Sequence, residues 1–388
     1  MKPELLVIGA GQWILDWCEH YNILYTLIQK PSLYSSSTAN EVVLIDYEND
    51  PRIWDYVEAL CKNRNITACI ASSESALLVA EEINTRFGLP YASCDSAFFF
   101  KDKFTMRNVL AVSNLNKVAY KLVDSPLALT DFLQEHEEIV VKPRDGTGSV
   151  NVTRLSRKNT ANVDHVGNYP VLAERYIGGK EYSVEAFSYQ GEHYILGITE
   201  KSVDAIQLVE KQHVFPAEFH NGEEAEISRT TQEFLSLAGM KNGPSHTELK
   251  VEDGEVYIIE SHNRAAGDAI TGLVGLVTGI NMHQQLVAWS ALRIETLKQS
   301  WQSKGCAMID FIFSEGGMIE KVHGLQSSLS LAGVVEVKLY SNAGAVIPRT
   351  DSSYNRIGHV LIHSDSRKSC EDILAKVYEL LSIKIAVS

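Results

Sequence analysis

The sequence predicts a chain of several domains that opens as an α/β sheet and continues as α+β. Three observations carry this. The chain has 388 residues, too many for one core when domains run to about 100 to 200 residues. Residues 1–100 alternate short apolar runs with helical patterns, the mark of a sheet covered by helices. Beyond Lys101, short strands punctuated by turn residues take over.

In the first unit, residues 1–100, strands are expected at 5–8, 41–47 and 66–71. Asp50 and Pro51 read as the N-cap and first residue of a helix on which Trp54, Val57, Leu60 and Cys61 recur at helical spacing, and Ala76, Ala80, Ile83 and Phe87 repeat the pattern. Gly9-Ala10-Gly11 follows the first strand. Ile14 stands where a dinucleotide fingerprint needs its third glycine, so a tight turn is the better reading. The second unit, 101–297, has expected strands at 139–141, 171–177 and 181–201, the last broken at Gln190-Gly191. The third, 298–388, has strands at 307–313 and 334–340 and a closing helix over 370–381.

Composition removes several function classes. A formal charge of −14, from 35 basic against 49 acidic residues, opposes binding to nucleic acid or to anionic membranes. No run approaches the roughly 18 apolar residues of a membrane span, and no signal peptide is read at the N-terminus, so a cytoplasmic protein is expected. The six cysteines show no Cys-x-x-Cys spacing and sit mostly in apolar stretches, which points to buried reduced thiols.

Two stretches carry chemistry. Lys142-Pro143-Arg144-Asp145-Gly146-Thr147-Gly148-Ser149 puts a lysine at a strand end, before glycines that let the backbone approach an anion. A plain hairpin turn is the alternative. Residues 246–262 read as a hairpin around Glu252-Asp253-Gly254. With a three-residue loop and Gly254 left-handed, Leu249, Val251, Tyr257 and Ile259 share a core face, while His246, Glu248, Lys250, Glu260 and His262 share the other. A two-residue Asp253-Gly254 turn would place Glu248 and Glu260 on opposite faces. Paired carboxylates suit Mg²⁺, which takes oxygen ligands and shares them with nucleotide phosphates. An ordinary solvated face is the competing reading. Arg264, just beyond, could hold a transferring phosphoryl group.

In these strings the sequence resembles the ATP-grasp superfamily, and within it L-amino acid ligases and carnosine-synthase-like enzymes. The resemblance rests on Lys101 to Arg107, Lys142 to Ser149, Glu174-Arg175-Tyr176-Ile177 with Gly179 to Glu185, His246-Thr247-Glu248, and Glu260 to Asp268. It implies a pre-ATP-grasp domain, a central ATP-grasp domain with a mobile lid over about 118–180, and a small C-terminal α+β domain. By position it implies that Lys103 and Lys142 contact ATP phosphates and that Gly146, Gly148 and Ser149 belong to a loop closing over them. Glu174 and Ile177 would form the adenine hinge, and Glu181 would bind ribose. Glu248 and Glu260 match Mg²⁺ ligands, and Arg264 the arginine of the acyl-phosphate centre.

His262 departs from the family's usual asparagine, so it could touch phosphate, favour Mn²⁺, or stand outside the metal's ligands. His213 falls where amino acid ligases present a histidine to the reacting carboxylate, and Glu74 where related ligases reach the substrate from the first domain, against a plain helix-end charge. The implied activity is ATP-dependent joining of a small-molecule carboxylate to an amine, by a homodimer if family habit holds. The alternatives are a biotin-carboxylase-like enzyme and a nucleotide-binding regulator without turnover.

Overall fold

The structure, a computed structural model, describes residues 2–158, 163, 166–204, 208–220, 222–297 and 302–386. Strands β1 (Glu4–Ile8), β2 (Leu24–Gln29), β3 (Glu41–Leu44) and β4 (Ile66–Ala71) form a parallel sheet in the order β3-β2-β1-β4. All five residues of β1 are buried, because helices cover both faces. Leu5 and Val7 pack with helices Gln12–His20 and Met282–Leu292, and Leu6 and Ile8 with Arg52–Asn63 and Leu77–Arg86. The expected strands and helices of this unit are present, but β3 ends at Leu44 rather than at residue 47, and the helix begins at Arg52 with Pro51, not Asp50, as its N-cap. β2, which no pattern singled out, lies between β1 and β3. The Gly9-Ala10-Gly11 turn has Gly9 at φ +54, and a Cβ there would lie 2.6 Å from the Tyr47 hydroxyl. That close approach explains the glycine without a dinucleotide.

Strands β5 (Tyr120–Val123), β6 (Glu138–Lys142), β7 (Thr153–Ser156) and β8 (Val171–Arg175) make a small antiparallel sheet in the order β5-β8-β6-β7. The large sheet follows, from β9 (Lys180–Tyr189), β10 (Glu192–Val203), β11 (Glu210–Phe215), β12 (Gly243–Glu252), β13 (Glu255–His262) and β14 (Cys306–Ile312). The chain ends with β15 (Glu315–His323), β16 (Val334–Leu339), β17 (Val346–Arg349), β18 (Gly358–Ser364), helix Arg367–Leu380 and β19 (Ser382–Ala386). The order in the large sheet is β13-β12-β9-β10-β11-β14-β18-β16, so strands from both sides of residue 298 share one sheet. The expected closing helix is present, but the last described element is β19, which pairs with β15.

The β12-β13 hairpin corrects the expected register. Its turn has two residues, with Asp253 at φ 54 and Gly254 at φ 83, the left-handed pair of a tight hairpin turn. Leu249 pairs with Ile258 and Val251 with Val256, so the core face of β13 is Val256 and Ile258 rather than Tyr257 and Ile259. Then the register slips between Glu248 and Leu249, and Glu248 pairs with Glu260 and His246 with His262. The extra residue at this bulge is Ile259. A one-residue bulge reverses side-chain parity, so the two carboxylates share a face despite the two-residue turn.

Candidate active site

The large and small sheets face each other across a cavity of about 690 Å³, and several of their strands deliver charged side chains to it. β6 ends in Lys142 and β8 carries Glu174. Both are buried, 2.9 Å apart. Arg107, from helix Lys103–Ala111, grips Glu174 through Nε at 2.7 Å and Nη2 at 3.0 Å, and also donates to the carbonyl of Ile258. Burial pushes the Glu174 carboxyl up, but Arg107 and Lys142 outweigh it and hold it at about 2. Burial wins at Lys142, whose pKa is lowered. Arg107 had no assigned role in the sequence.

Lys103 opens its helix behind the N-cap Asp102, whose side chain accepts from the Thr105 amide at 2.7 Å and from Arg144 at 2.8 Å. The Lys103 ammonium thereby lies 3.0 Å from Glu260 and donates to the Gly146 carbonyl at 2.7 Å. Gly148, at φ +65, and Ser149, at φ 57, curl the loop after β6 over the cavity. Thr147 shares a 3.2 Å hydrogen bond with Tyr354 from the third unit.

On the large sheet, Lys201 contacts Glu181, Glu210 and Glu248. Burial lowers its pKa, but these three carboxylates outweigh it and raise it well above the usual lysine value. His246 bridges Glu185, 2.7 Å from Nδ1, and Glu248, 3.2 Å from Nε2. Burial opposes its charge, yet the carboxylates raise its pKa to about 9. Glu248 and Glu260 are both held below the carboxylate range, against burial, by Lys201 and Lys103 respectively as the largest opposing charges.

Two ionised carboxylates, paired across a hairpin and facing a cavity lined by lysines, fit a divalent cation that draws its remaining oxygens from phosphate and water. Among the described residues, no three His, Cys, Asp or Glu side chains converge as a metal cluster; Glu248, Glu260 and His262 all line the cavity. His262 is bracketed by Glu260, 3.1 Å from Nε2, and Glu74, 3.5 Å from Nδ1. Burial opposes its charge, but the hydrogen bond to Glu260 and the nearby Glu74 carboxylate raise its pKa.

Glu74 is more than a helix-end charge. It accepts from Arg264 Nε at 2.6 Å and so brings the first domain into the site. Ile177, Glu181, His213 and Arg264 also line the cavity, which therefore collects every residue nominated for nucleotide, metal or substrate. It adds residues the sequence reading gave no role, including Arg356, Tyr354 and Ser353. These lie on the third unit, where the sequence reading nominated no site residue.

Among the described residues no helix is long and apolar enough to cross a membrane. Comparison with known proteins places the chain. Residues 156–272 match the ATP-grasp domain family, and residues 310–386 match L-amino acid ligase C-terminal domain 2. A Sinorhizobium fredii protein described as uncharacterized is 25% identical over 93% of this chain and 77% of its own length. The L-arginine-specific L-amino acid ligase of Bacillus subtilis is 20% identical over 79% of this chain and 78% of its own. The crystal structure of an L-amino acid ligase from Bacillus licheniformis superposes with a TM-score of 0.84 at 22% identity, covering 100% of this chain and 99% of that one, which shows the fold.

Proposed function

Since the chain belongs to the ATP-grasp superfamily and to its carboxylate–amine ligases, which form carbon–nitrogen bonds, we propose that it activates a small carboxylic acid as an acyl phosphate and joins it to an amine, the acid and amine being amino acids or close analogues. The observation that carries this reading is the pairing of Glu248 with Glu260 on the cavity face, with Lys103 beside Glu260 and Arg264 held by Glu74.

ATP lies between the two sheets, its adenine at the Glu174 to Ile177 hinge and its ribose at Glu181. Lys103 and Lys142 receive the phosphates, and the loop from Gly146 to Ser149 closes over them and excludes water. Glu248 and Glu260 hold Mg²⁺, which when bound spreads the negative charge of the phosphates. A carboxylate oxygen of the acid, presented by His213 and Arg264, attacks the γ-phosphorus, and ADP departs with the electrons of the broken bond. Arg264 steadies the charge of the resulting acyl phosphate. A neutral amine then attacks the carbonyl carbon, inorganic phosphate leaves, and the amine's proton goes with it.

The test is Mg²⁺-dependent phosphate release across a panel of amino acid pairs, with ADP and AMP assayed separately, on the wild type and on Glu260→Gln and Arg264→Ala. ADP and phosphate formed only with particular pairs, and reduced about 100-fold or more in both variants, supports the reading. AMP with pyrophosphate, or full activity in Glu260→Gln, refutes it.

A further inference from the structure

Where the third unit covers the cavity there is a charged pair that the reaction above does not use. Arg356 is buried, stacked 3.7 Å from the Phe311 ring centroid, with all three nitrogens committed. Nη2 donates to Asp268 at 2.6 Å, Nε to the Ser353 carbonyl at 2.9 Å, and Nη1 to the Glu210 carbonyl at 3.4 Å. The Asp268 side chain remains 34% exposed and lines the cavity. Its second oxygen lies 3.9 Å from His213 Nε2, too far for a hydrogen bond.

His213 is fully buried, and neither ring nitrogen has a hydrogen-bond partner among the described residues. A buried polar atom left unpaired is costly, so a group entering from the cavity is expected to satisfy it. All three guanidinium nitrogens already donate to the protein, and the half-open carboxylate that Arg356 anchors offers a fixed acceptor to a cation. Burial would raise the Asp268 carboxyl pKa, but the neighbouring His213 and Arg356 hold it below the usual range.

Resting on the ligase reading, we infer that Asp268 is a specificity-determining residue that binds a protonated nitrogen of the acid substrate beside His213, with Arg356 fixing its orientation. An α-ammonium or a side-chain ammonium carries the same chemistry, and matched six-carbon acids separate them: hexanoate, 2-aminohexanoate, 6-aminohexanoate and 2,6-diaminohexanoate. Binding of each is measured by calorimetry to the full chain saturated with Mg²⁺ and a non-hydrolysable ATP analogue. At least one aminated acid should bind 10-fold or more tightly than hexanoate. In Asp268→Asn that preference should fall below 3-fold while hexanoate binds unchanged.

Preference for 2-aminohexanoate places the cation at the α-carbon, and preference for 6-aminohexanoate places it in the side chain. Asp268 sits at φ 50, a conformation asparagine also tolerates, so the variant should fold, and its affinity for the ATP analogue checks this. If it does not fold, the wild-type comparison decides alone. Equal affinity for all four acids, no binding of any, or a preference that survives in Asp268→Asn overturns the assignment. Preferential binding of aminated acids without phosphate release from any pair would sink the ligase reading and leave the Asp268 assignment standing.

Discussion

Replacing Glu174 with Gln should destabilise the protein far more than any exposed charge change, because it strands two buried cations. Arg107 is 1% exposed and Lys142 7%, and both lean on this carboxylate. Breaking a buried pair by removing one partner costs about 3–5 kcal/mol. The displacement of the Glu174 pKa from 4.5 to about 2 gives roughly 3 kcal/mol independently, at about 1.36 kcal/mol per tenfold change in acidity. Arg107 keeps its bonds to the Ile258 and Ile259 carbonyls, and Lys142 can shed its proton, so the lower end applies.

For a cooperative unit of about 150–250 residues, roughly 3 kcal/mol lowers Tm by about 6–12 °C. The sign with pH follows from the depressed value. The contribution of Glu174 is fully present above pH 4.5 and is lost as pH falls towards about 2, so the gap between wild type and variant should narrow over that interval. The assay is calorimetric melting at pH 7 and at acid pH, with Glu58→Gln as control. Glu58 pairs with Lys62 on the surface, where both side chains are more than half exposed, and such solvent-screened pairs contribute little to stability. A Glu174→Gln Tm within 2 °C of wild type at pH 7 would refute the reasoning.

Further perturbations test other parts of the site. Tyr354→Phe removes the hydroxyl that bonds Thr147, worth about 1 kcal/mol, so ATP affinity should weaken about 5-fold; an unchanged affinity would mean the third unit does not hold the loop. Gly148→Ala sets a Cβ 2.7 Å from the Tyr354 ring at φ +65, which should open the loop, seen as faster protease cleavage near residue 148. Chelation by EDTA should abolish phosphate release and restored Mg²⁺ should recover it, whereas activity persisting in EDTA would argue against a metal at Glu248 and Glu260. Of the six thiols only Cys61 is incompletely buried, and burial raises its pKa. Ellman's reagent should therefore titrate one thiol slowly in the native protein and six after denaturation.

The sequence by itself determined what depends on near neighbours. Apolar runs such as Leu5 to Ile8 specified strands, helical spacing from Trp54 to Cys61 specified a helix, and the ordered strings from Lys101 to Asp268 pointed to the family that the comparisons support. The residues nominated for the site line one cavity. Tertiary structure decided what depends on assembly. Parity predicts faces only in an unbroken strand, and the bulge at Ile259 reversed it, restoring a carboxylate pair that the two-residue turn alone would have split. Glu74 and Arg264 are 190 residues apart, and Asp268 and Arg356 are 88 apart. Such pairs leave no periodic trace, because they exist only once separate units have packed around the same cavity. Arg107 closed a family-like string without a role of its own until burial beside Glu174 gave it a charge to balance.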